Sequence, residues 1–113
     1  MPKEQQTLSL EQAIDLALQH HNAGRLLDAE DIYRQILNAH PKHFDSLHLL
    51  GVIAQQRGSG EKAVDLITKA LSIRPHFAKA HCNLGISLMG LGKLDEAIAS
   101  YRKALDLKAD FVE

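Results

Sequence analysis

Tryptophan is absent from the 113-residue sequence, Phe and Tyr together make up only 4% of it, and cysteine occurs once, as Cys82. Any core that such a chain builds is aliphatic. A single thiol excludes an intrachain disulfide, and Cys82 reads as a small side chain on a helix rather than a redox centre. No apolar run approaches the roughly 20 residues that a membrane-spanning helix requires. The stretch Met1-Pro2-Lys3-Glu4-Gln5-Gln6 lacks the hydrophobic segment of a secretory signal, so a cytoplasmic location is the expectation. An excess of one charge is also missing. The 13 basic and 14 acidic residues give a formal net charge of -1 and leave no basic stripe to release counterions from a phosphate backbone, so nucleic acid is not an expected partner.

What is present is a composition of 45% hydrophobic and 24% charged residues, ordinary for a folded chain, at a length that suits one folding unit. Self-similarity dominates the sequence. Gly24, Gly58 and Gly92 are spaced 34 residues apart, and the same shift relates Leu16, Leu50 and Leu84; Ala17, Gly51 and Gly85; Ala29, Ala63 and Ala97; and Leu37, Leu71 and Leu105. A further column reads Tyr33, Ile67, Tyr101, and another reads Pro41, Pro75, Ala109, where the third member departs from the pattern. The register divides the chain into a lead-in over 1–9, units over 10–43, 44–77 and 78–111, and the start of a fourth unit at 112–113.

Within each unit, apolar residues recur at helical spacing on both sides of the central glycine, as in Leu84, Leu88 and Leu91, then Ile98, Tyr101 and Leu105. Each unit therefore predicts helix, turn, helix. Ser9 with Gln12 forms a capping box for the first helix, the three glycines suit the left-handed residue that ends a helix, and Pro41 and Pro75 stop the second helices. The small residues at 17, 51 and 85 and at 29, 63 and 97 predict close approach of paired helices.

The segment NLGISLMGLGKLDEAIASYRKALDL, from Asn83 to Leu107, closely resembles the tetratricopeptide repeat; HLLGVIAQQRGSGEKAVDLITKALSIRP and GRLLDAEDIYRQILNAHP are weaker versions. The usual aromatic of the first helix is replaced by Ala13, Leu47 and His81. The resemblance implies an all-α fold, a right-handed α-solenoid of three helical hairpins and six main helices, whose first helices line a concave groove that holds a polypeptide. It places in that groove Glu11, Ile14, Asp15, Leu18 and His21; Asp45, His48, Leu49, Val52 and Gln55; and Lys79, Cys82, Asn83, Ile86 and Met89. The aliphatic residues among them suit an apolar or amphipathic segment. Each has a second reading as core between paired helices, and Val52 and Ile86 are the two expected to be exposed.

Family members that grip a carboxylate terminus use five Lys, Asn and Arg positions, which here read Ile14, Leu18, Leu49, Lys79 and Asn83. Three aliphatics cannot supply charge-assisted bonds, which argues against an acidic chaperone tail as ligand. O-linked N-acetylglucosamine transferases run asparagines along the groove; that column is Asp15, Leu49, Asn83, a single rung. The style of the second and third units nevertheless looks like the amino-terminal repeats of bacterial proteins that carry a glycosyltransferase or similar enzyme, so a recognition arm on a larger enzyme is the alternative to a freestanding scaffold.

Seven histidines invite a metal reading, with His40, His43 and His48 in one cluster and His76, His81 and Cys82 in another. Zinc requires convergent ligands, commonly paired Cys or His motifs, and one thiol with histidines at unit junctions does not supply them, so neither metal nor cofactor is expected. His40, His43 and His76 on one edge would instead make binding pH-dependent. No nucleophile is assigned: Ser46, Ser72, Ser87 and Ser100 fall in helical segments without a glycine-rich elbow, and Gly58-Ser59-Gly60 reads as a turn. Asp28, Glu30, Asp31, Glu61, Asp65, Asp95 and Glu96 cluster near the starts of second helices, where they complement the helix dipole. Catalysis is not expected. Ile98, Tyr101 and Leu105 on the last helix form an uncapped apolar end face, for which concentration-dependent self-association is the expectation.

Overall fold

The computed structural model describes residues 8–109. They form six α-helices: α1 (Leu10–Asn22), α2 (Leu26–Ala39), α3 (Phe44–Gln56), α4 (Gly60–Ile73), α5 (Ala78–Gly90) and α6 (Leu94–Ala109). First helices begin at residues 10, 44 and 78 and second helices at 26, 60 and 94, so both series advance by the 34 residues of the sequence period. The expected start of a fourth unit, Val112 and Glu113, lies outside the described residues.

Local chemistry sets the helix ends. Ser9 Oγ accepts from the Gln12 amide at 3.1 Å while Gln12 Oε1 accepts from the Ser9 amide at 2.9 Å, a complete capping box. A cap of this kind is worth about 1 kcal/mol. Gly24, Gly58 and Gly92 have φ of 83°, 84° and 78°. In each turn the glycine amide and the following amide donate back into the helix, as in Gly58 to Gln55 O at 3.1 Å and Ser59 to Ala54 O at 2.8 Å. This double closure of the last carbonyls needs a left-handed residue, which glycine adopts without the Cβ penalty. The second helices α2 and α4 end two residues before Pro41 and Pro75; α6, where the same column holds Ala109, runs 16 residues instead of 14.

Packing joins hairpin to hairpin. One core cluster unites Ala17, Ala29, Tyr33 and Ile36 of the first hairpin with Leu50 and Ile53 of the second; another unites Phe44, Leu47, Ile67, Ala70 and Leu71 with Ala80 of the third. Neither cluster is complete within one hairpin, which is the reason such units stack. Ala29, Ala63 and Ala97 are fully buried. A Cβ on Gly51 would stand 2.7 Å from Ile67 Cγ1, and one on Gly85 would stand 2.8 Å from the Tyr101 ring. The small columns are therefore where paired helices meet. Burial, with Asp45 nearby, pushes the Tyr33 phenol up to about 12, so its hydroxyl stays neutral. Arg57 bridges the first two hairpins by donating to Glu30 at 2.8 Å.

The result is an elongated helical solenoid, 56 × 33 × 24 Å, without strands among the described residues. Along it each helix packs on its chain neighbours, and α5 also touches α3 directly, a contact that no pair of second helices matches.

Candidate binding groove

Two side-chain links, each spanning 35 residues of sequence, fasten the first helices together. His21 Nε2 and Gln56 Oε1 join α1 to α3 at 2.9 Å. Asn83 Nδ2 donates to His48 Nε2 at 2.9 Å and joins α3 to α5. These bonds hold three helical faces in one row, the geometry a bound segment needs.

His48 sets the middle of that row. Its ring lies 5.7 Å from both Phe44 and Phe77, which meet each other edge to face at 4.9 Å, and the Arg74 guanidinium covers Phe44 at 4.8 Å. Only 4% of His48 is exposed. Burial foremost, then the Lys79 ammonium, lowers its pKa, against a smaller opposing effect of Asp45. A neutral ring protonated on Nδ1 leaves Nε2 free to accept from Asn83, in keeping with the bond observed.

The groove positions read from the sequence differ in exposure. On α1, Glu11 and Asp15 are exposed while Ile14, Leu18 and His21 are half-buried. On α3, Asp45, Leu49, Val52 and Gln55 are half-buried and His48 is buried. On α5, Lys79, Ile86 and Met89 are exposed, with Cys82 and Asn83 half-buried. Ile14 and Leu49 pack against the first core cluster, so part of their surface serves the hairpins themselves. Of the two residues expected to be open, Ile86 is 40% exposed and Val52 is half-buried; Met89, at 42%, is as open as Ile86. Asn83 is engaged with His48, which leaves Lys79 as the exposed member of the five columns that would grip a carboxylate terminus.

Three of the other histidines have local tasks. His43 caps α3, its Nδ1 accepting from the Ser46 amide at 3.2 Å and lying 2.8 Å from Ser46 Oγ. His20 Nδ1 accepts from Arg25 Nε at 2.8 Å, and His81 Nε2 lies 2.8 Å from the Pro75 carbonyl oxygen. Among the described residues no three His, Cys, Asp or Glu side chains converge as a metal-binding group, and no described helix is long and apolar enough to cross a membrane. On α6, Ile98 and Leu105 are 44% and 66% exposed, while Tyr101 is half-buried against Gly85.

Sequence reasoning missed Gln56 and gave His48 no structural part. The signal for His48 was available: Phe44 precedes it by one helical turn, and Phe77 closes the same unit as the N-cap of α5. Gln56 sits at the end of α3 outside the repeating columns, and nothing in the one-dimensional pattern points to it.

Comparison with known proteins agrees with this geometry. The chain is 34% identical over 87 residues to the probable UDP-N-acetylglucosamine-peptide N-acetylglucosaminyltransferase SPINDLY of Solanum lycopersicum, covering 77% of this chain and 9% of that protein. It is 31% identical over 93 residues to the peroxisomal targeting signal receptor of Eremothecium gossypii, covering 81% of this chain and 16% of the receptor. The chain thus spans less than a fifth of these curated relatives. Among solved structures, the crystal structure of MamA superposes with a TM-score of 0.82 at 25% identity, over 90% of this chain and 60% of that one. Two tetratricopeptide repeat family models match, one over residues 14–76 and the other over residues 78–111. The chain belongs to the tetratricopeptide repeat family, whose fold is a protein-interaction scaffold.

Proposed function

We propose that the chain binds a polypeptide segment along the row formed by α1, α3 and α5, and that the segment presents an apolar or amphipathic face. The observation that carries this reading is the exposure of Ile86 and Met89, 40% and 42%, on a helix that is tied to its neighbour by the His48–Asn83 bond. Large aliphatic side chains held open on a rigid layer gain from covering by another apolar surface. The half-buried Leu18 and Val52 continue the stripe onto α1 and α3. Lys79 at one end and Glu11 and Asp15 at the other add charges of opposite sign, which would orient a ligand more than hold it. The role is binding rather than catalysis, and a location in the cytoplasm suits it.

Similarity to the targeting-signal receptor supports peptide capture as the kind of task, and similarity to SPINDLY supports a second reading, in which these repeats form the recognition arm of a glycosyltransferase-type enzyme. In both, the groove is the working surface.

A randomised peptide library displayed against the chain tests the proposal. Selected peptides should carry apolar residues at helical or alternating spacing, and Ile86→Glu should weaken them more than about tenfold, because an unpaired carboxylate would be forced into the apolar contact. Selection of uniformly acidic or basic peptides, or affinities indifferent to both Ile86→Glu and Val52→Glu, would contradict it.

A further inference from the structure

The two links between first helices respond differently to a proton. Gln56 Oε1 can only accept, so in the His21–Gln56 bond the ring nitrogen is already the donor, and the bond survives a charged imidazole. At the second link the direction is reversed. Asn83 Nδ2 donates, and His48 Nε2 must keep its lone pair to accept. A proton added to that nitrogen sets one donor against another across 2.9 Å.

Which partner gives way follows from how each is held. The His48 ring is buried 5.7 Å from both Phe44 and Phe77, so it cannot swing into water without vacating that packing. Asn83 is half-buried, and its planar amide interchanges oxygen and nitrogen by a half-turn about one bond. Asn83 Oδ1 accepts no hydrogen bond among the described residues. The buried side-chain polar atoms without a partner are the Tyr33 and Ser87 hydroxyls; Asn83 Oδ1 is not one of them, so it reaches water. The amide therefore has one end on the ring and the other open.

The surroundings set where the ring takes up a proton. Burial foremost, then Lys79 on α5, opposes the charged form, and Asp45 on α3 favours it. Arg74, in the connection between α4 and α5, covers Phe44 at 4.8 Å and adds a second positive charge to the cluster. Uptake thus falls on the acid side of 6.5. We propose that His48 and Asn83 form a proton-operated exchange of the group that α5 offers to a ligand: the carbonyl Oδ1 while the ring is neutral, and the amide Nδ2–H once the protonated ring donates to Oδ1. The proposal rests on the reading of α1, α3 and α5 as the binding row. A segment that donates to Oδ1 near neutral pH then meets a donor in acid and is released.

Nitrogen-15 NMR of the ligand-free chain across a pH titration reads the exchange itself. The Asn83 side-chain amide resonances should move with the same midpoint as the His48 ring nitrogens, below 6.5, and should stay fixed in His48→Gln. An amide that stays fixed while the ring titrates overturns the proposal, as does a ring that stays neutral until the fold is lost. Binding is then measured with a library-selected peptide that lacks His, Asp and Glu and has blocked ends, about one pH unit above and below that midpoint. The wild type should bind about three- to tenfold more weakly in acid, the worth of one hydrogen bond. His48→Gln and Asn83→Ala should each change less than about twofold, the second although its ring still titrates, and Asn83→Ala carries the comparison alone where His48→Gln does not fold. The same acid response in wild type and variants overturns the proposal. No peptide bound by the wild type at either pH contradicts the reading of the groove instead, and the ligand-free titration then decides the exchange.

Discussion

Among individual residues, His48 links fold to solution behaviour. Its folded-state pKa is depressed below the ordinary histidine value of 6.5 by burial and by Lys79, only partly offset by Asp45. The neutral form is favoured in the folded chain. Below 6.5 the unfolded chain therefore takes up a proton that the folded chain resists, and stability falls as pH falls; above 6.5 both states are neutral and the contribution is complete. Chemical denaturation as a function of pH should show a loss of midpoint below this value that is smaller in His48→Gln, which still offers Asn83 a polar partner. Identical pH profiles for the two proteins would mean that His48 is solvated in the folded state. The sequence ranked His48 with the groove residues because the repeat register assigns position, and register alone is blind to the aromatic pair, Phe44 and Phe77, that encloses it. The expectation that His40, His43 and His76 would act together as a pH-responsive edge meets a local competitor, since the His43 ring is committed to the cap of α3.

At the scale of the helix pair, the small columns were legible in advance because each has one steric reason to be small. In the structure Gly51 meets Ile67, Gly85 meets Tyr101, and Ala97 has no exposed surface. Ala97→Phe should lower unfolding free energy by about 1 to 3 kcal/mol through overpacking between α5 and α6, measured as a fall in urea midpoint at constant m-value. An unchanged midpoint would show that the pair can separate at little cost. Helix ends were equally readable, since a capping box and a positive-φ glycine act within a few residues. Gly58→Ala, which introduces no clash but keeps φ near 84°, should still destabilise by roughly 1 kcal/mol, because an L-residue is strained in that region.

For the whole molecule, the period of 34 residues already contains the stacking order. It does not contain the division of labour among aliphatic side chains. Ile14 and Leu49 lean toward the core while Ile86 and Met89 remain open, a difference in surroundings that residue type alone does not record. The two links His21–Gln56 and His48–Asn83 likewise join residues 35 positions apart, one step off the period, and a search restricted to the repeat register passes over them.

The central claim is that the row of first helices is the surface that takes up a foreign segment. Its most direct measurement is the map of backbone amide chemical-shift changes when a peptide selected from the displayed library is titrated into the labelled chain. The account predicts changes concentrated along α1, α3 and α5, strongest around Val52, Ile86 and Met89. Changes centred instead on α2, α4 and α6, with the first helices silent, would contradict it.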